Sequence, residues 1–136
     1  MIDKELLTYL KAVRENALAK YSNFKVGAVL MTNDGKKFSG FNIESSSYGL
    51  TICAERVALF KALSEGERKF KEIYIICQND EFCSPCGACR QVLMDYAPNL
   101  RVILVNDNGD EKIYNIDELL PEAFTEERLA KKKYTK

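Results

Sequence analysis

The chain has 136 residues, 46% apolar and 29% charged, with 20 basic side chains, 20 acidic ones and no histidine. That is enough for one domain with a hydrophobic core, and the neutral balance argues against gripping nucleic acid through a strongly positive surface. No apolar run approaches a membrane span and no signal-peptide stretch opens the chain, so the five cysteines are expected to be reduced, in the cytoplasm. Their odd number also speaks against a disulfide framework.

The first element is a helix over residues 3–20, where Leu6, Leu10, Val13 and Ala17 recur at helical spacing. VGAVLM (26–31) and FSGFNI (38–43) read as two strands joined through an Asp-Gly turn. A second helix covers 52–64, with Ala54, Val57, Ala58 and Ala62 facing inward, and stops near Gly66. EIYIIC (72–77) has the continuous apolar character of a buried central strand. A third helix, 86–96, takes Ser84 as its N-cap and Pro85 at its first turn, and Pro98 stops it. RVILV (101–105) and KIYNI (112–116) are strands on either side of an Asn108-Gly109 turn, and a helical tail includes LLPEAF (119–124). With no repeat or linker, residues 1–136 are expected to form one α/β domain: a five-stranded mixed sheet with helices packed on both faces.

The chemistry gathers where the second and third helices begin. Cys86 and Cys89 share a helix face, and a helix N-terminus favours thiolate over thiol. Such a pair is half a zinc site or a redox pair, and on this motif alone both readings stay open. Cys53 opens the second helix, with Glu55 two residues on. Joined to Cys86 and Cys89 it gives three thiolates and a fourth position for water, the arrangement of a catalytic zinc site. Glu55, outside the ligand set, then takes and returns protons; the zinc deaminases have this constellation. Cys83 offers a closed four-sulfur site or an iron–sulfur cluster instead. Against that, Pro85 and the helix start leave Cys83 on the approaching loop, and a closed site leaves Glu55 without a task. Cys77, inside an apolar strand, reads as a small buried hydrophobe. Three thiolates around Zn²⁺ leave a formal negative charge, which the two helix N-termini and Arg56 are placed to draw off.

TICAERVAL (51–59) with SPCGACRQVL (84–93) resembles the short, homotetrameric zinc cytidine deaminases. The likeness extends through YSNFKVGAVL (21–30), NIESSSYGLT (42–51) and ELLPEAF (118–124). A first motif of Cys-Ala-Glu in place of His-Ala-Glu favours the free-nucleoside branch. The resemblance implies the cytidine deaminase fold, one zinc per subunit and a homotetramer. It also implies hydrolysis of cytidine and 2′-deoxycytidine to uridine and 2′-deoxyuridine plus ammonia, in pyrimidine salvage. In that reaction zinc-bound hydroxide attacks C4, while Glu55 carries the water proton to N3 and helps protonate the departing amine.

The same resemblance puts Phe24 on the pyrimidine ring and the Ala54 N–H on the base. Asn42 and Glu44, two apart at a strand end and so facing one way, go to the ribose hydroxyls, Glu44 accepting from the 3′-OH. Arg56 hydrogen-bonds to ligand sulfurs, and Tyr48 and Phe124 complete the pocket, in part from neighbouring subunits. Ser45-Ser46 departs from the Asn-Ala of many relatives, next to the sugar position. The basic stretch AKKKYT (130–135) reads as a solvated end. Beside this stand a structural metal or redox module built on Cys83, Cys86 and Cys89, and a blasticidin-type deaminase, against which Glu44 speaks. A nucleic-acid editing enzyme fits a short, neutral chain poorly.

Overall fold

The computed structural model describes residues 1–127 and 129, so the basic stretch 130–135 lies outside the described residues. Helix α1 (Lys4–Glu15) is started by Asp3, whose carboxylate accepts the Leu6 N–H at 3.2 Å, and it buries Leu6, Leu10 and Val13. It ends well short of residue 20. Beyond Asn16 the backbone bonds elsewhere: Leu18 N–H donates to Asn42 O at 3.0 Å and Glu44 N–H to Leu18 O at 2.9 Å. That pairing also ends the second strand early. Strand β1 (Val26–Thr32) pairs antiparallel with β2 (Lys37–Phe41), after which Ile43 turns away to bridge Leu18 and Ile52.

A single 3-10 turn at Tyr48–Leu50 leads to α2 (Ala54–Ser64), followed by β3 (Phe70–Cys77), α3 (Gly87–Tyr96), β4 (Arg101–Val105), β5 (Glu111–Asn115) and the short α4 (Ile116–Leu119). The sheet order is β2-β1-β3-β4-β5, with β3 and β4 parallel through the α3 crossover and the other pairs antiparallel. This is the five-stranded mixed sheet expected. Helix α1 covers one face, packing Leu6, Leu10 and Val13 on Val29, Ile76, Ile103 and Val105. Helices α2 and α3 cover the other, where Ala58, Leu59, Ala62 and Leu93 meet Ala28, Leu30, Ile73, Ile75, Val102 and Leu104. Cover on both faces explains why the central strands are apolar at successive positions. Among the described residues no helix is long and apolar enough to cross a membrane.

Three local expectations need correction. Val57 is only half-buried, and Leu59 holds the inward position on α2. Cys86, not Ser84, is the N-cap of α3, while Ser84 Oγ accepts from Arg90 Nη2 at 2.9 Å. Of segment 119–124 only Leu119 is helical: α4 has a capping box between Asn115 and Glu118, and it stops at Leu120, which precedes Pro121 and has a φ of −141°.

One contact fixes how closely α2 lies on the sheet. A Cβ at Gly40 in β2 would come within 2.5 Å of both the Ala54 carbonyl oxygen and the Ala58 nitrogen. Replacing Gly40 by alanine therefore pushes the start of α2 outward. Gly40→Ala is expected to cost about 1–3 kcal/mol, seen as a lower urea midpoint at an unchanged denaturant slope; an unchanged midpoint would show that the helix yields freely.

Candidate active site

Helices α2 and α3 converge by their N-termini, and each is preceded by a cysteine. Cys53 and Cys86 hold the N-cap positions in extended conformation, with ψ of 154° and 167°, and neither side chain makes the usual capping bond to its helix. A serine or aspartate there would fold back on the first turn; the thiols instead point away, toward each other. Cys89 lies one turn into α3, on the side of Cys86. The Cys53 and Cys86 sulfurs are 3.7 Å apart, and all three lie within 4.8 Å of one another. Zinc held tetrahedrally at about 2.3 Å from each sulfur spaces them about 3.8 Å apart, so the trio fits that ion with a fourth position to spare. It is the only cluster of this kind among the described residues.

The charges are arranged around one shared proton. The hydrogen bond from Cys89 draws the Cys53 thiol down to about 5, with Arg56 helping and partial burial opposing. Cys89, buried and donating to Cys53, is held protonated far above the usual thiol range. A metal must displace that proton, which makes its affinity rise with pH. Arg56 places Nη2 3.5 Å from Cys53 Sγ, and this contact keeps the guanidinium charged. Glu55 is 5% exposed, and burial pushes its carboxyl up from 4.5 to about 7. A group with that value holds or releases a proton readily near neutrality.

Phe24, Asn42, Cys53, Ala54, Glu55 and Cys86 line one cavity of about 380 Å³. A neighbouring cavity of about 290 Å³ is lined by Tyr21, Ser22, Glu44, Ser45 and Tyr48, and Thr51 lies in the wall of both. Asn42 is buried and works locally: its Oδ1 accepts the Val26 N–H and its Nδ2 donates to the Phe24 carbonyl, both at 2.9 Å. Glu44 Oε1 accepts the Tyr21 and Ser22 N–H groups at 3.0 and 2.9 Å, and its Oε2 accepts the Ser22 hydroxyl. Tyr48 is 79% exposed at the rim of the second cavity. Phe124, 49% exposed, lines neither; its carbonyl accepts from Gln91 Nε2 at 2.8 Å. Ser22 and Thr51 were not singled out from the sequence, although Ser22 stands inside the YSNF stretch beside Phe24.

The expectation that all the cysteines are free is overturned. Cys77, at the end of β3, is disulfide-bonded to Cys83. The loop between them doubles back through Asn79 and Asp80, both at positive φ, and the Asp80 carboxylate accepts the Asp107 N–H at 2.9 Å. Cys77 is thus buried, but as half of a bridge. An odd cysteine count misled because three sulfurs are set apart at the helix starts, which leaves an even pair. Cys83 borders the cavity next to Ser84, with its sulfur committed elsewhere.

Residues 1–105 match the family model described as the cytidine and deoxycytidylate deaminase zinc-binding region. Cytidine deaminase of Sporosarcina psychrophila is 43% identical over 128 residues, covering 93% of this chain and 94% of the relative. That of Halalkalibacterium halodurans is 50% identical over 115 residues, covering 84% and 87%. A crystal structure of cytidine deaminase from Burkholderia pseudomallei superposes with a TM-score of 0.84 at 50% identity, covering 91% of this chain and all of the other.

Two predictions come from this geometry. Zinc analysis is expected to find Cys53→Ala largely metal-free and Cys83→Ala still holding one equivalent; the reverse pattern would move Cys83 into the ligand set. The second concerns Glu55 in metal-free protein. An acid whose folded value lies above its unfolded one carries no penalty below about 4.5, a growing one between 4.5 and about 7, and the full one above. Metal-free Glu55→Gln is therefore expected to be more stable than the parent above pH 7, by up to about 3 kcal/mol, with the gap closing toward pH 4.5. A gap independent of pH would mean the carboxyl is not held near neutrality.

Proposed function

The chain belongs to the cytidine and deoxycytidylate deaminase zinc-binding family, and from that premise we propose that it hydrolyses cytidine and 2′-deoxycytidine to uridine and 2′-deoxyuridine, releasing ammonia. The observation that carries this reading is a three-sulfur cluster opening on the same small cavity as a buried glutamate with a near-neutral proton affinity. Cys53, Cys86 and Cys89 would hold zinc, which would supply the Lewis acid that makes water nucleophilic at neutral pH.

The remaining work falls to the protein's own groups. Glu55 takes the proton that the attacking water loses as it adds to C4 and passes it to N3. It then takes the proton of the new C4 hydroxyl and gives it to the amine, which leaves as the C4–N bond breaks and the C4 carbonyl forms. Burial suits Glu55 to these transfers, because it raises the carboxyl from the usual carboxylate range toward neutrality. Phe24 lies against the pyrimidine face, and the Ala54 N–H, at the first turn of α2, orients the base. Asn42 and Glu44 receive the ribose. Arg56 and the two helix N-termini offset the charge of the sulfurs. We further read the chain as one deaminase domain of a homotetramer, in which exposed Tyr48 and Phe124 serve neighbouring subunits, acting in the cytoplasm in pyrimidine salvage.

The test is the ultraviolet absorbance change on mixing zinc-loaded protein with cytidine, with uridine identified by chromatography. Conversion is expected, and Glu55→Gln should keep zinc while losing at least about 10²–10⁴-fold in kcat. Metal-replete protein that leaves cytidine untouched, or a Glu55→Gln variant near parental rate, would sink the assignment.

A further inference from the structure

We propose that Ser22 is a positioning residue for this reaction: its hydroxyl ties the sugar-binding carboxylate of Glu44 to the base-stacking Phe24, so that sugar and base are recognised by one unit. The proposal rests on the function proposed above.

Residues 20–25 belong to neither helix nor strand, yet they carry Phe24 to the cavity wall. The turn that does so passes through Asn23 at a φ of 57°, a left-handed conformation that asparagine tolerates, with the Asn23 N–H bonded to Ala19 O at 2.8 Å. Across that turn the Ser22 hydroxyl makes two bonds at once. It donates to Glu44 Oε2, and its oxygen accepts the Phe24 N–H at 3.0 Å. The Phe24 carbonyl is held by Asn42 Nδ2. Both backbone polar groups of the stacking residue therefore end on side chains that belong to, or bond directly to, the sugar-binding pair.

Glu44 is fixed by the same segment. Three donors from Tyr21 and Ser22 reach its carboxylate, whose two oxygens offer about four acceptor positions. About one is left, on the oxygen that Ser22 bonds, and a single sugar hydroxyl fills it. The Ser22 hydroxyl thus aims the remaining lone pair before any nucleoside arrives, and a group ordered in advance loses little freedom on binding. The same bond is the leading reason the Glu44 carboxyl lies below its usual value, which keeps it ionised, and so an acceptor, further into acid.

A serine whose hydroxyl accepts the N–H two residues on also forms an ordinary local turn. A turn alone has no use for the second bond to Glu44, and it affects every ligand alike. The experiment uses that difference. Zinc-loaded parent, Ser22→Ala and Ser22→Thr are compared with cytidine and with 3′-deoxycytidine, the latter as substrate or competitive inhibitor. Zinc content and melting temperature serve as checks on folding. Ser22→Ala is expected to raise KM for cytidine about tenfold, with kcat within about threefold. The loss should shrink to about threefold or less with 3′-deoxycytidine, and Ser22→Thr, which keeps the hydroxyl, should restore most of the parental KM. Equal losses on both nucleosides, an unchanged KM for cytidine, or a threonine variant no better than alanine would each overturn the role. An active parent with any of these results removes the role of Ser22 alone, whereas a parent inert toward cytidine removes the proposed function as well.

Discussion

Cys53 and Cys86 stand where serine or aspartate would ordinarily cap a helix, and neither makes the capping bond. Forgoing a cap costs a helix about 1 kcal/mol. In exchange, the unpaired N–H groups and positive ends of α2 and α3 are aimed at sulfur, and the two thiols meet at 3.7 Å. The rest of the molecule serves to hold those two helix ends together. Ala58, Leu59 and Ala62 seat α2 on the sheet, Leu93 seats α3, and the bare Gly40 backbone lets α2 approach the β2 edge closely. The site is thus positioned by the core through rigid elements, with loops supplying only its rim.

The loops that form the rim are themselves tied down by side chains. Asn42 and Glu44 bond back to the segment that carries Phe24, so the residues read as sugar ligands also shape the wall for the base. On the other side, Arg90 donates to the Pro85 and Leu119 carbonyls at 2.7 and 2.8 Å, joining the turn before Cys86 to the end of α4. Each side of the cavity therefore has a polar lock that does not touch the sulfurs.

Much of this was legible because it depends on local spacing. A three-residue interval between Cys86 and Cys89 sets a shared face whatever the tertiary structure, and apolar strands without alternation announce a sheet covered on both sides. What escaped the sequence depends on distant partners. Helix α1 ends at Asn16 because Leu18 finds backbone partners around Asn42, twenty-odd residues away. The Cys77–Cys83 bridge escaped because the count took five thiols as one population, when the fold divides them between the site and the loop beside it. Ser22 was not singled out because its second partner, Glu44, lies on another segment of the chain.

With no histidine in the chain, the cluster at the helix starts offers sulfur alone, and that choice reaches beyond its geometry. Thiolates are soft donors, suited to monovalent copper as well as to zinc, and divalent copper stands above zinc in general affinity. Donor type alone does not favour zinc over such competitors. Correct loading then rests on which metals the surroundings leave free, so the fidelity of this site is a property of the cell's copper housekeeping as much as of the protein.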